Sequence, residues 1–366
     1  MALPFCVSAD SLALARVFGG TGEPMESLLI ETLLEAVPLP MLLIDMDERI
    51  VQANADAVHL FGASVLGRLY PTAMRQPALQ ESIGAALRQG KPGVARHVVQ
   101  GASSDTVYKV TVGPVEGGAL CAFEDVSEAE QIGQMRRDFV ANVSHELRTP
   151  LTALLGFIET LQGAAKDDAV ARERFLSVMA REASRMNRLV GDLLSLSRVE
   201  AEERVRPTTK VDIAALVRRV ASDLRPMIEA AGVELRLSGV DRVAMAPADA
   251  DQMTQVLANL FENAVKYGGN NKVVTVVLGQ EARDAALRGP ALWVEVTDQG
   301  EGIDAIHLPR LTERFYRVDS HRSREKGGTG LGLAIVKHII NRHRGRLKIT
   351  SEVGIGSSFT MFLPVM

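Results

Sequence analysis

The 366-residue chain reads as a multidomain α+β protein: an α+β domain, a long helical hairpin, and a second α+β domain of sandwich type. Three observations predict this. Short apolar runs flank helical stretches between residues 26 and 124. From Ser127 to Glu200, apolar residues recur at steps of three and four with a single break. Beyond Pro207, strand-like and helix-like segments alternate again. The expected division is a terminal segment 1–25, then domains 26–124, 125–204 and 205–366.

Composition narrows the class. Apolar residues make up 46% of the chain but aromatics only 4%, so the cores must be aliphatic. The net charge of −4 offers no basic field for nucleic acid. The two cysteines, Cys6 and Cys121, match no metal or redox spacing, which fits a reducing compartment without a disulfide. No run of 18 uncharged apolar residues occurs, so no membrane span is expected. The start lacks the basic segment of a signal peptide and is broken by Pro4, Asp10 and Arg16. The chain as it stands is expected in the cytoplasm, or at a membrane if a further N-terminal segment precedes it.

In the first domain, Glu26 to Ala36 is helical and closed by Pro38 and Pro40. Met41–Ile44 and Arg49–Gln52 flank the turn Asp45–Glu48, a hairpin signal. Strands follow at Val94–Val99, Thr106–Val112 and Ala119–Phe123. His59 and His97 are expected on the surface. Ser127 with Glu130 reads as a capping box opening a helix that runs to about Gln162. Its apolar stripe is Phe139, Val143, Leu147, Leu151, Leu154, Ile158 and Leu161. The break Gly163–Asp168 leads to a second helix, about Ala169 to Glu200. One hairpin cannot cover its own stripe, but two copies make a four-helix bundle, so a homodimer is expected.

Beyond Pro207, helices are expected at Val211–Ala231, Ala250–Tyr267 and Ile335–Arg344. Strands are expected at Val233–Leu237, Val243–Met245, Val273–Leu278, Leu292–Thr297, Arg346–Ser351 and Ser358–Leu363.

Chemistry concentrates in five places. His145 lies two residues from both Val143 and Leu147, about 200° off the stripe, and so faces solvent. Glu146 stands beside it, Thr149 lies one turn on, and Pro150 removes a backbone N–H below, which makes His145 a nucleophile candidate. On the helix ending at Tyr267, the amides of Asn259 and Asn263 share a face, and Asn263, Lys266 and Tyr267 form a polar patch. An amide oxygen suits Mg²⁺ already held by phosphate, and lysine suits the phosphate itself. The loop from Asp298 through Gly300 and Gly302 places a carboxylate for an exocyclic amine. The loop Gly328-Thr329-Gly330-Leu331-Gly332-Leu333 opens a helix whose N-terminal amides suit a polyphosphate. Between these loops, Thr312 to Lys326 reads as a lid latched by Phe315 and Tyr316. Its Arg314 and Arg317 are placed to offset phosphoryl charge. There is no GxxxxGK[ST] loop.

Five of these segments occur in the order of a known family. His145–Leu151 resembles the H box, Asn259–Ala264 the N box, Asp298–Gly302 the G1 box, Glu313–Arg317 the F box and Gly328–Leu333 the G2 box of sensor histidine kinases of two-component systems. Residues 26–124 resemble a PAS sensor domain, through Ile44-Asp45, Arg49–Val51, Asn54, Phe61-Gly62 and Glu124–Ser127. Whether that domain holds a ligand or only relays a signal stays open. A PAS domain followed by this H box looks most like the phosphate-regulon sensor kinases, which usually carry an N-terminal membrane segment.

The resemblance implies a dimeric bundle carrying the phospho-acceptor histidine, followed by an ATP-binding domain of the gyrase, heat-shock chaperone and histidine kinase type. It implies ATP and Mg²⁺ as cofactors, Asp298 on adenine, Asn263 on Mg²⁺, and Gly330 and Gly332 near phosphate. His145 would be phosphorylated and pass the group to an aspartate in the receiver domain of a response regulator. Glu146 would accept from the imidazole Nδ1–H. Thr149 would orient a water for the reverse, phosphatase reaction. Two other classes stay open: an ATPase or chaperone of the same nucleotide-binding fold, using Glu262, and a non-catalytic scaffold.

Overall fold

The computed structural model describes residues 30–101, 105–203, 205–268, 272–318 and 328–365. They fall into two compact units, divided between Asp138 and Phe139.

The first unit is built on a five-stranded antiparallel sheet of β1 (Met41–Asp45), β2 (Ile50–Ala53), β3 (Gly93–Val99), β4 (Thr106–Val115) and β5 (Gly118–Asp125), in the order β2-β1-β5-β4-β3. Its helices include α1 (Ala55–Phe61) and α2 (Pro77–Gln89). Alternate strand residues Leu42, Ile44, Val110, Val112, Cys121 and Phe123 are buried beneath Leu79 and Ile83 of α2. Asn54 caps α1 and does more. Its Oδ1 accepts from the Ala57 and Met41 amides, and its Nδ2 donates to the Leu34 and Leu39 carbonyls. The expected first helix is seen at 30–35, and its earlier residues lie outside the described ones.

Two expectations are corrected here. His97 is buried, not on the surface, and sits between Phe61 and Phe123 at ring distances of 5.8 Å. Desolvation lowers its pKa and keeps the ring neutral. The capping box does not form. Ser127 Oγ accepts from the Val107 amide, and Glu130 pairs with Arg96 at 3.0 Å. Asp125 instead accepts from the Ser127 N–H, and the Ser127 hydroxyl, together with that N–H, lowers the Asp125 pKa. Tertiary partners for both side chains outcompeted the local motif.

Helix α3 (Ser127–Gln162) passes through Pro150 without interruption, and α4 (Ala169–Glu202) is capped by Asp168. Within the second unit Phe157 stacks on Phe175, ring centres 5.3 Å apart, which joins the two helices near their turn. Several apolar residues of the hairpin remain exposed: Leu151 at 49%, Leu155 at 54%, Ile158 at 38% and Leu194 at 67%.

The remainder of the second unit is a sandwich. A five-stranded sheet runs β11 (Arg346–Glu352), β12 (Gly356–Pro364), β10 (Gly289–Thr297), β9 (Val273–Asp284) and β7 (Glu234–Ser238), with β7 parallel to β9 and the rest antiparallel. A two-stranded ribbon pairs β6 (Lys210–Asp212) with β8 (Met245–Pro247). Buried residues alternate along β9 (Val274, Val276, Leu278) and β10 (Leu292, Val294, Val296). One sheet face therefore meets α5 (Ile213–Asp223), α6 (Ala250–Tyr267) and α7 (Gly332–Arg342). The helix expected over 211–231 is divided: Val211 lies in β6, and a separate short helix, Arg225–Ala230, carries Pro226 in its first turn.

Leu189, Leu196 and Val199 of α4 are 3%, 1% and 2% exposed and belong to the same core as α6 and α7. Burying each is worth about 1.5–3 kcal/mol. The hairpin and the sandwich therefore pack as one unit.

Cys121 is fully buried, and desolvation pushes its thiol up to about 12. It should stay unmodified by iodoacetamide at pH 8 in the native chain and react only on denaturation, as peptide mass spectrometry can read out.

Candidate functional site

His145 is exposed on α3, and Pro150, one turn and a half on, is buried. Thr149 lies on the same face, its hydroxyl donating to the His145 carbonyl at 3.2 Å. Glu146 is turned differently from the sequence expectation. Its Oε2 accepts from Arg185 of α4 at 2.6 Å and from Arg317 at 3.3 Å, and all three side chains are mostly buried. No hydrogen bond joins it to the imidazole of His145 among the described residues.

The nucleotide-type site lies between α6 and the two glycine loops. Asp249 caps α6 by accepting from the Asp251 and Gln252 amides. The Asp249 amide in turn donates to His343 Nε2 at 3.0 Å, while His343 Nδ1 faces the Ile339 carbonyl at 2.7 Å. This pattern requires the neutral Nδ1–H tautomer, and burial lowers the pKa accordingly. A buried histidine thus ties the end of α7 to the start of α6.

On α6, Asn259 donates to the Gly332 carbonyl at 3.4 Å, so the N-box helix touches the phosphate-type loop directly. Asn263 is half-buried, and its amide makes no hydrogen bond to a described residue. Lys266 pairs with Glu262 at 2.6 Å, and Tyr267 is 41% exposed.

Asp298 follows β10 and is only 5% exposed. Desolvation raises its pKa, opposed by hydrogen bonds from the Gly300 and Ser357 backbone, with the Gly300 amide at 2.8 Å. A buried carboxylate with this local support suits recognition of an amine. Gly302 has φ of +72°, and a Cβ there would stand 2.0 Å from the Glu352 carbonyl oxygen.

In the second loop, Gly330 also has positive φ, and its carbonyl accepts from the Phe315 amide at 2.8 Å. Phe315 itself sits at φ of +64°. This pins the F-box segment to the loop. The Leu331 side chain is fully buried, so only its backbone is available to a ligand. Gly328, Gly332 and Leu333 are half-buried.

The expected lid is partly in view, since residues 319–327 lie outside the described ones. Its two aromatic residues face different partners. Phe315 packs on Phe139 of α3, ring centres 5.9 Å apart. Tyr316 meets His307 Nδ1 at 2.6 Å, beneath the guanidinium of Arg310. Arg314 pairs with Glu200 of α4 at 2.5 Å, and Arg317 with Glu146. Both lid arginines are thus held by hairpin carboxylates.

Two site residues were missed in the sequence. Asp192 of α4 accepts from Thr329 Oγ1 at 2.7 Å, and Arg185 holds Glu146. Asp192 had a readable signal. It sits three residues after Leu189 and four before Leu196, a carboxylate on the buried stripe.

Three family descriptions match this geometry. Residues 28–89 match the PAS domain, 135–202 the His Kinase A (phospho-acceptor) domain, and 248–366 the histidine kinase-, DNA gyrase B- and HSP90-like ATPase. The chain thus carries, in this order, the PAS, phospho-acceptor and ATPase domains found together in sensor histidine kinases. It is 42% identical over 241 residues to the phosphate regulon sensor protein PhoR of Pseudomonas aeruginosa, covering 66% of this chain and 53% of that protein. It is 38% identical over 247 residues to the sensor protein kinase WalK of Staphylococcus saprophyticus, covering 68% and 39%. With the sensor-like histidine kinase SenX3 of Mycobacterium tuberculosis it shares 36% over 248 residues, covering 68% and 58%. The chain thus spans roughly half the length of these relatives. The crystal structure of histidine kinase ThkA in complex with response regulator protein TrrA superposes with a TM-score of 0.51 at 22% identity, over 92% of this chain and 98% of ThkA, which supports the fold. No described helix is long and apolar enough to cross a membrane.

The loop carrying Asp298 leaves no room at Gly302. Gly302→Ala should cost about 2 kcal/mol or more in unfolding free energy, from left-handed backbone strain and the carbonyl clash, and weaken adenine-nucleotide binding. Urea unfolding and calorimetric titration check both.

Proposed function

We propose that the chain is an ATP-dependent protein-histidine kinase. His145 Nε2 attacks the γ-phosphorus of ATP, an N–P bond forms, the bond to the β–γ bridging oxygen breaks, and ADP leaves. The observation that carries this reading is an exposed His145 on a helical hairpin packed against a nucleotide-type site whose parts, Asn259, Asp298 and the Gly328–Gly332 loop, converge in space. For the attack, Nδ1 holds the proton and Nε2 the lone pair. Glu146 accepts from Nδ1–H and stabilises the imidazolium as it forms, after leaving Arg317. Mg²⁺, when bound, neutralises phosphate charge, and the half-buried amide of Asn263, uncommitted among the described residues, fits a place in its shell. Arg314 and Arg317 meet the transferring group once released from Glu200 and Glu146.

The active form is a homodimer. The exposed apolar residues Leu151, Leu155, Ile158 and Leu194 support this, because a second hairpin would cover them. The phosphoryl group passes from His145 to an aspartate of a response-regulator receiver domain, and the signalling is of the phosphate-regulon type. Thr149, on the His145 face, orients water for dephosphorylation of the regulator. The kinase works at the cytoplasmic side, with membrane attachment through any preceding segment. The four-part division at residues 25, 124 and 204 is kept as the functional one.

His145→Ala should abolish acid-labile phosphorylation from γ-labelled ATP, and label persisting in the variant would overturn the assignment. Thr149→Ala should keep autophosphorylation within about 3-fold of the parent while slowing regulator dephosphorylation by about 10-fold or more. Equal loss of both would reduce Thr149 to a structural role.

A further inference from the structure

Asp192 forms no part of the reaction just described, yet it reaches the nucleotide loop. Its carboxylate accepts from Thr329 Oγ1 at 2.7 Å, and the same hydroxyl oxygen accepts from the Leu331 amide at 3.3 Å. The chain of contacts runs from a hairpin carboxylate, through one hydroxyl, to an amide just ahead of α7. Those amides are the groups suited to phosphate. Asp192 also feels Glu262 and Lys266 of α6 and Arg188 of its own helix. Desolvation, with Glu262 adding to it, raises its pKa. It therefore stands among the groups that would face a polyphosphate.

The same chemistry recurs twice nearby. Glu146 holds Arg317, and Glu200 holds Arg314. Each of these three contacts pairs a hairpin carboxylate with a donor whose chemistry also suits a phosphate oxygen. A carboxylate is a single-charge stand-in for a phosphate, and a triphosphate carries several charges.

We propose that Asp192 is a positioning residue for the nucleotide loop: it holds Thr329 in the hairpin-docked state, and the phosphates of an incoming nucleoside triphosphate displace it, so that loading ATP loosens the hold of α4 on the nucleotide loop. The proposal rests on the reading that the Gly328–Gly332 loop binds ATP phosphates. Displacement follows from charge. Two anions cannot share one small set of donors, and the ligand with more charge and more acceptor oxygens takes them. Release of Thr329 removes one tether between α4 and the nucleotide-binding domain. Arg314 and Arg317, drawn to the same phosphates, let go of Glu200 of α4 and Glu146 of α3, while Ser195 with Gln255 and Arg342 with Glu202 still join α4 to the domain.

The test is Asp192→Asn in the full chain. Asparagine keeps the shape and can still accept from Thr329, so only the charge is lost. Calorimetric titration with the β,γ-imido analogue of ATP, with ADP and with adenosine separates charge from folding. The analogue should bind roughly 3- to 10-fold tighter to the variant, ADP should gain less, and adenosine should be unchanged. Asp192→Glu, which keeps the charge, should return the analogue to parental affinity. A variant that weakens the analogue, or changes all three ligands equally, overturns the proposal. A parent chain that binds none of the three would instead overturn the kinase reading.

Discussion

One helix face organises the second unit. Leu189, Asp192, Leu196 and Val199 fall in line along α4, and three of the four are buried in the core shared with α6 and α7. The apolar members provide the attraction. The carboxylate provides the register, because Asp192 must find Thr329 for its burial to be tolerable. Further along, Glu200 meets Arg314, and Arg342 of α7 bridges to Glu202 and Asp249. Helix α4 therefore carries both the hydrophobic contact and the charged contacts that set where the nucleotide-binding domain sits.

This arrangement has a consequence for chemistry. Glu146, proposed above as the partner of the His145 imidazole, pairs with Arg185 and Arg317. Arg314 and Arg317 are occupied as well. The groups proposed above for phosphoryl transfer are satisfied by one another. In such a state the protein spends its charge complementarity on holding two of its own elements together, and the reactive arrangement needs those pairs exchanged for substrate. Because the pairs are partly buried, breaking one without a replacement leaves an uncompensated charge. Exchange for phosphate avoids that cost.

Much of this was legible in the chain. The two long helices, the break at 163–168 and the five sheet strands flanking α6 and α7 followed from periodicity and turn residues, and their observed bounds fall close to those expected. The histidine with its neighbours and the two glycine loops could be seen because their residue types are unusual at those spacings. The failures share one cause. The Ser127–Glu130 box lost to Val107 and Arg96. His97 was drawn inward by Phe61 and Phe123. Glu146 turned from His145 to Arg185 and Arg317. In each case a partner more than 30 residues away, or on another element, outbid the local one.

The sequence alone determined which segments are helix or strand, where the catalytic-type residues lie, and which family they match, because these depend on short-range periodicity and residue chemistry. Only the tertiary structure decided which charge meets which. Arg314 with Glu200, Arg317 with Glu146 and Thr329 with Asp192 join residues more than 100 positions apart. Side-chain pairing at such separations depends on how α4 docks on the sandwich, and docking is a property of assembled surfaces that no local pattern encodes.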